Sequence, residues 1–574
     1  MIDTIPKPLA ALRPLMTDLD DGTYDRYQSL VGSHFQSSEF RLEIVHVQGS
    51  PGALPASVCR IKINIDRLGI PGQAVSTENR RMATADFLLR AFDIAVAEST
   101  RPNRGSQGSG SFQPLNLPQQ ILLRNIVDLH DHTVGIHFCI SLPGSRKNRI
   151  MGKDAADMFD LELPEIVRQL QQAIKKSDRL RQHWQTVEDA EFLREQLKKL
   201  GLIGFIADGS LLPRQSGISD LPMVDAGTLF NSPAELAVEV DLPHAGRVRG
   251  MGIPQGVTCV IGGGYHGKST LLAAIARGVY PHVPGDGRER IVTVRDALLV
   301  KSEAGRVVRG TNISAFINNL PDNTDSREFF TDNASGSTSQ AASVIEGLQA
   351  GSSLLLIDED CSASNFLNRD ANMRQLIPED PITPLFDRIR ELYDDHGVSV
   401  IIIAGGNSGY LAVSDNIIAM GNYQPAVMNK AAKALQLATP SKPTTAMDLI
   451  DRRFLTQDNF DPSYTAKRLG KTIPVRIKPL RKQSWVLEYG DDDIDLGIPA
   501  AIVDPDQTLA IGHALFTARE QGFSGTIEEM IEKLITIGIA HWKSPGPPRF
   551  MALPRPLEIA AAINRLRSLR VIFK

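Results

Sequence analysis

The sequence predicts an α/β core, a sheet flanked by helices, with an α+β domain before it and a smaller α+β domain after it. Three observations predict it. From about Phe230 to Tyr423 short apolar, strand-like runs alternate with helical patterns. Two of those runs end in a glycine-rich tip or an acidic one, the groups that phosphoryl chemistry uses. The flanking segments instead mix period-two and period-3.6 patterns without regular alternation. The boundaries drawn are 1–225, 226–440 and 441–574, and a length of 574 residues predicts three or four compact units.

Composition excludes several classes. Apolar residues at 42%, charged residues at 22% and a formal charge of −4 describe an ordinary globular protein, so a nucleic-acid partner has to use a local patch. Cys59, Cys139, Cys259 and Cys361 lie far apart with no CxxC pair, which argues against a zinc site or a disulfide framework and for a reducing cytoplasm. The N-terminus lacks the basic-then-apolar pattern of a secretion signal. Ser353 to Ile357 and Val398 to Ala404 are far shorter than the ~20 residues a membrane helix needs, so no membrane span is expected.

In the first segment Phe40 to Val47 alternates as a strand, while Ala83 to Ala97, Pro164 to Ile174 and Asp189 to Leu200 have helical periodicity. Between them Arg101 to Ser111, rich in Gly and Ser with two arginines, predicts a mobile loop. It reads equally as a solvated linker and as a loop that touches a phosphate backbone.

The middle segment carries the chemistry. Val257 to Ile261 is a strand-like run, Ser269 onward a helix, and between them stands Gly262-Gly-Gly-Tyr-His-Gly-Lys268, which completes the pattern of a phosphate-binding loop. Loop N–H groups and the positive helix end then face nucleotide phosphates. The expected contacts are Gly262, Gly263, Gly264, Tyr265, His266, Gly267, Lys268, Ser269 and Thr270, with Lys268 on the β and γ phosphates of ATP and Ser269 on Mg2+. His266 sits beside the phosphates, at a position whose side chain most often faces away. Ser353 to Ile357 is a buried-strand run tipped by Asp358 and Glu359; Asp358 suits the Mg2+ shell, and Glu359 is placed to polarise an attacking water. Lys268 and Glu359 are thus the expected catalytic pair.

Between these lies Ala334-Ser-Gly-Ser-Thr-Ser-Gln340, followed by a helical stretch from Ala341 to Gln349. It resembles the signature loop of ATP-binding cassettes, with Ser335, Gly336 and Ser337 as its contact residues. Together with Ala207-Asp-Gly-Ser-Leu-Leu-Pro-Arg, Gly250-Met-Gly-Ile-Pro, Ile357-Asp-Glu-Asp, Asn365-Phe, Arg369-Asp, Glu379-Asp-Pro-Ile-Thr-Pro and Asn564-Arg-Leu-Arg, the chain resembles the predicted ATPases of the ABC class. That family comprises soluble proteins and includes members tied to mitochondrial RNA processing. The resemblance implies an ABC-type P-loop ATPase core that works as a homodimer, each ATP held between the loop of one copy and Ser335 and Gly336 of the other. ATP binding and hydrolysis then close and open a clamp. Two departures stand out: no Gln occurs between Ser269 and Gln340, and Gly405-Gly-Asn-Ser-Gly replaces the switch histidine of transporter cassettes. That run reads equally as a turn and as a place where Asn407 or Ser408 meets the γ-phosphate.

In the last segment Arg452, Arg453, Lys467, Arg468, Lys471, Arg476, Lys478, Arg481 and Lys482 face only Asp458 and Asp461, a local charge of +7. Such a patch suits an RNA backbone, though the run from Asp491 to Asp495 is able to neutralise part of it. Protein partners are the alternative. Helical patterns from Thr526 to Ile537 and Leu557 to Leu569 close the chain.

Overall fold

A computed structural model of the chain describes residues 6–574 apart from 103, 131, 176–177, 218, 227, 378, 436–439, 442, 444, 467–470, 481–482, 498–500 and 547–548. Two compact units emerge, Met1–Glu188 with Ser544–Ala552, and Asp189–Lys543 with Leu553–Lys574. Among the described residues no helix is long and apolar enough to cross a membrane.

The first unit is built on a seven-stranded sheet, antiparallel except at one edge, with Ser57–Asn64 and Thr133–Ser141 as its longest pair. Alternate residues such as Leu42, Ile44, Ile61, Ile63, Ile136 and Phe138 are buried, as a half-covered sheet requires. Helices Glu78–Ser99 and Leu163–Lys175 pack together, and the Thr77 side chain caps the first by accepting from Arg80 N–H. Asp86 on that helix is buried and accepts from Arg90 Nε at 2.7 Å and from His183 Nε2 at 2.9 Å. Burial pushes its carboxyl up, but Arg90 and His183 outweigh burial and hold it at about 2.

The expectation of a mobile loop at 101–111 is corrected. Ser106 N–H donates to Gly144 O and Gly110 N–H to Ser141 O, both at 2.7 Å, and Arg104 is ion-paired with the buried Glu162. Its glycines serve close packing: a Cβ on Gly105 would meet Gly144 N at 2.8 Å.

The second unit holds the site. Its six-stranded sheet comprises β1 (Val257–Ile261), β2 (Ala297–Val300), β3 (Leu354–Asp358), β4 (Ser399–Ile403), β5 (Asn416–Gly421) and β6 (Gln424–Val427), in the order β2-β3-β4-β1-β5-β6. All neighbours are parallel except β5 and β6. β3 and β4 are buried throughout, the behaviour of strands covered on both faces. Each fully buried aliphatic there, such as Ile402, contributes about 1.5–3 kcal/mol. Because Asp358 pairs with Ile403, and Val260 with both Ile403 and Ile418, the segments leaving β1, β3, β4 and β5 meet at one edge. Helix α1 (Lys268–Arg277) follows β1, and α2 (Gly336–Gln349) precedes β3. A four-stranded antiparallel sheet, Ala237–Leu242, Gly246–Pro254, Leu202–Ala207 and Ile291–Thr293, belongs to the same unit. So does a three-stranded sheet, Ile477–Leu480, Gln483–Tyr489 and Asp492–Asp495, packed on helix Pro505–Glu520.

Of the two readings of the basic stretch, an open patch or one partly neutralised within the fold, its described residues follow the second. Arg453 is 2% exposed; it is ion-paired with Asp451 at 2.8 Å and bonded to Asn564 Oδ1 at 2.7 Å. Arg452 pairs with Asp448, Arg476 with Glu488 and Asp493, and Lys478 with Glu488. The reason is topological: Asp493 and Glu488 lie on strands folded back against 476–478. Lys467, Arg468, Arg481 and Lys482, and the side chain of Lys471, lie outside the described residues. The last helix spans Pro556–Ile563, shorter than the periodicity predicts.

Candidate nucleotide site

β1 ends at Ile261, and the loop turns at once through glycines that no other residue replaces. Gly262 has φ +141 and Gly267 φ +95; a Cβ on the first would meet Met420 O at 2.5 Å, and on the second the Tyr423 ring at 2.6 Å. Gly263, Gly264 and Tyr265 are exposed, and Tyr265, at φ +60, is 100% exposed. Lys268 folds back over the loop, its Nζ donating to Gly262 O and Gly263 O at 2.8 Å each. Ser269 and Thr270 open α1, and Ser269 Oγ donates to Asp358 Oδ2 at 3.2 Å.

Asp358 is buried, its Oδ1 accepting from Asp360 N–H at 3.1 Å. Glu359 is held by a different strand. Its Oε2 accepts from Gly405 N–H at 2.5 Å and Gly406 N–H at 3.0 Å, so the glycine pair that ends β4 holds the second acid. Neighbouring β3 and β4 bring these groups together. Below them Cys259 has its thiol pushed up to about 12 by burial, with the Glu359 charge adding to it.

The side chain of His266 lies along the loop, its Cδ2 3.2 Å from where a Cβ on Gly263 would stand. Its Nδ1 accepts from Asn422 N–H at 3.2 Å, which places the ring proton on Nε2, and its carbonyl accepts from Tyr423 N–H at 3.1 Å. The turn at 422–423 thereby braces the loop from behind. Asn407 Oδ1 accepts from Gly409 N–H at 2.9 Å and Asn368 Nδ2 at 3.0 Å, a turn-forming arrangement.

The signature-like segment is wound tighter than its sequence predicts. Ser335 is the N-cap, its Oγ accepting from Thr338 N–H at 3.2 Å, so Gly336 to Gln340 form the first turn of α2 rather than a loop. Ser335 is exposed and Ser337 buried. Ser335, Gly336 and Ser337 stand apart from the loop, and their helix is tied to the segment after the acids by Gln340 and by Ser339, whose Oγ accepts from Glu303 N–H at 2.9 Å while Ser302 N–H donates to Cys361 O at 2.9 Å. Gln340, fully buried, donates from Nε2 to Ser362 Oγ and accepts at Oε1 from Ala363 N–H, both at 2.9 Å, while Ser362 Oγ donates to Asp358 O at 2.8 Å. Sequence reasoning gave no role to Gln340, to the N–H groups of Gly405 and Gly406, or to Tyr423. For Tyr423 one signal existed: Asn-Tyr stands between two alternating runs where a tight hairpin favours Asn-Gly.

Residues 9–173 match the family model described as ATPase of the ABC class N-terminal, 176–453 the ABC ATPase P-loop domain, and 481–572 the MRB1590 C-terminal domain. An uncharacterized protein of Methanocaldococcus jannaschii, MJ1628, is 33% identical over 231 residues, which are 38% of this chain and 50% of that protein. The matched region thus spans about half the length of that curated relative. Among solved structures, MJ1267, an ATP-binding cassette of an ABC transporter in its ADP conformation, is 14% identical over 32% of this chain and 86% of its own, with a TM-score of 0.23. Clostridium perfringens cbiO1, part of the ABC transporter complex cbiONQ, is 14% identical over 39% and 87%, with a TM-score of 0.24. With three successive family matches across residues 9–572 and a P-loop between a central strand and its helix, the chain belongs to the family of ATPases of the ABC class.

Proposed function

We propose that the chain binds ATP with Mg2+ on Gly262 to Thr270 and hydrolyses it, two copies closing over the nucleotides as a clamp. One observation carries this reading: Ser269 Oγ and Asp358 Oδ2 stand 3.2 Å apart at the foot of the loop, and the next residue, Glu359, is held by Gly405 and Gly406 at the end of the neighbouring strand. Two hard oxygen donors fit Mg2+, which takes a few protein oxygens and completes its shell with phosphate and water. Mg2+, when bound, neutralises and orients the β and γ phosphates. Lys268 Nζ, now on two carbonyls, turns to the phosphate oxygens. Glu359 orients and polarises the attacking water, and Gly405 and Gly406 keep its carboxylate from swinging. In this reading Ser335 and Gly336 of one copy, and the N–H of Ser337, meet the γ-phosphate bound by the other, where the N-terminus of α2 supplies positive potential.

The division into 1–225, 226–440 and 441–574 belongs to the same reading, with chemistry in the middle and cargo on the flanks. RNA is the cargo proposed, on the family resemblance and the match of 481–572 to the MRB1590 C-terminal domain. A second reading, an ATP-gated scaffold for protein partners, is favoured by one observation: Arg452, Arg453, Arg476 and Lys478 are already bonded to carboxylates. Steady-state ATP hydrolysis across a salt series, with and without structured RNA, tests both. Lys268→Ala and Glu359→Gln are expected to lower turnover at least ~100-fold. RNA is expected to change the wild-type rate, less so at high salt. Turnover and dimerisation that ignore every RNA tried leave the scaffold, and Glu359→Gln at wild-type speed ends the catalytic role given to Glu359 and favours the scaffold.

A further inference from the structure

The run Asn564-Arg-Leu-Arg567 follows the last helix and takes no part in the nucleotide chemistry described above. Asn564 is bonded to Arg453 and Leu566 is buried, the ordinary work of a closing turn. The two arginines instead grip the chain on either side of Ser335, the cap of α2. Arg565 donates from Nε and Nη2 to Glu303 Oε2 and Oε1 at 3.0 and 2.6 Å, and Glu303 N–H donates to Ser339 Oγ in the first turn of α2 at 2.9 Å. Arg567 donates from Nη1 to Asp332 O at 3.0 Å and from Nη2 to Gly305 O at 3.4 Å. Gly305 N–H donates to Ala334 O at 2.8 Å, and Ala334 is the residue before the cap. Arg309 closes the ring: its Nε and Nη2 donate to Arg567 O at 3.1 and 2.8 Å, and it is ion-paired with Asp332.

Arg567 is exposed, and its guanidinium bonds two neutral carbonyls rather than a carboxylate, so it adds little to stability. What its planar fork does fix is the place of two backbone segments, 305 and 332–334, from which the chain enters α2. The N–H groups at a helix start are directional donors, and a small shift in that entry moves all of them together. We propose that Arg567 is a positioning residue for hydrolysis: by holding Asp332 and Gly305 it sets where Ser335 to Ser337 meet the γ-phosphate bound by the other copy, an inference that rests on the two-copy reading above. Its effect falls in trans, each copy's Arg567 serving the phosphate loop of its partner.

The test uses full-length chains that carry one substitution each, alone and mixed in equal amounts, with ATP and Mg2+. Arg567→Ala alone is expected to unfold thermally like wild type and to turn over about tenfold more slowly, within the up to ~100-fold that a misplaced contact far from the chemistry costs. Lys268→Ala alone is inactive. In the mixture, random pairing makes half the dimers mixed, and each of these sets one intact loop against one intact α2, so turnover is expected at about a quarter of wild type, roughly fivefold above the mean of the two parents. Ser335→Arg mixed with Lys268→Ala is the reference for recovery in trans. Recovery in that reference but not with Arg567→Ala overturns the proposal, because Arg567 then acts within its own copy; so does wild-type turnover in Arg567→Ala alone, or turnover lost together with the fold. No recovery in either mixture brings down the two-copy reading itself, and the proposal with it.

Discussion

The phosphate loop and the stretch from Arg452 to Lys478 are both rich in charge, and they use it in opposite ways. At the loop, Lys268 bonds to two neutral carbonyls and Glu359 to two neutral N–H groups. In the basic stretch Arg452, Arg453, Arg476 and Lys478 each meet a carboxylate of the same fold. A charge held by dipoles keeps its field for an incoming ligand, whereas a charge paired with its opposite has already used most of it. Counting signs along a sequence does not separate the two.

The comparison breaks first at the glycine pair. Gly406→Pro removes one of the N–H groups that hold Glu359 and is expected to cut turnover by about 100-fold with ATP binding retained, a loss of the size seen when one oriented donor is removed. Gly406→Ala keeps the N–H, and its Cβ would stand 3.7 Å from Glu359 Oε1, so turnover should stay near wild type. If both variants are equally slow, the N–H groups are not the holding device. On the other side, Arg453→Ala leaves Asp451 without its partner and is expected to destabilise the fold by about 3–5 kcal/mol in denaturant titration. Arg452→Ala breaks an exposed pair and should cost about 0–1 kcal/mol. Should Arg452→Ala instead weaken salt-sensitive RNA binding at unchanged stability, the paired charges are still available and the comparison fails.

Acid sharpens the same point in the other unit. The Asp86 carboxyl is depressed in the fold to about 2 from an ordinary 3.8, so its stabilisation is complete above pH ~4 and is lost as pH falls from about 4 toward 2. That amounts to about 2 kcal/mol, and the acid limb of a circular-dichroism titration should move to higher pH in Asp86→Asn. The smallest effect concerns thiols. Cys361, exposed two residues after Glu359, should be alkylated readily at pH 8, while Cys259, held near 12, is spared; mass spectrometry reads the difference.

Contiguous features were legible in the sequence. The run from Val257 through Ser269 specifies strand, turn and helix within a dozen residues, and Leu354 to Glu359 reads as a buried strand with acids at its tip. Features that need two distant segments side by side were not. The hold on Glu359 depends on β3 and β4 being neighbours, and the pairing of Arg476 and Lys478 with Glu488 depends on a hairpin, whereas the acidic run that holds Asp493 was visible as a neutraliser. The segment 101–111 misled through composition: its glycines permit close packing on 141–144, the opposite of the mobility that Gly and Ser suggest in an isolated chain. The early start of α2 turned on a single cap, a serine that accepts from Thr338 N–H.

Gln340 has no slack. Both ends of its amide are bonded, its surroundings are closed, and through Ser362 it reaches the carbonyl of Asp358. The first turn of α2 and the turn that carries Glu359 therefore share one buried amide, and Gln340→Ala would strand Ser362 Oγ and Ala363 N–H together in the interior.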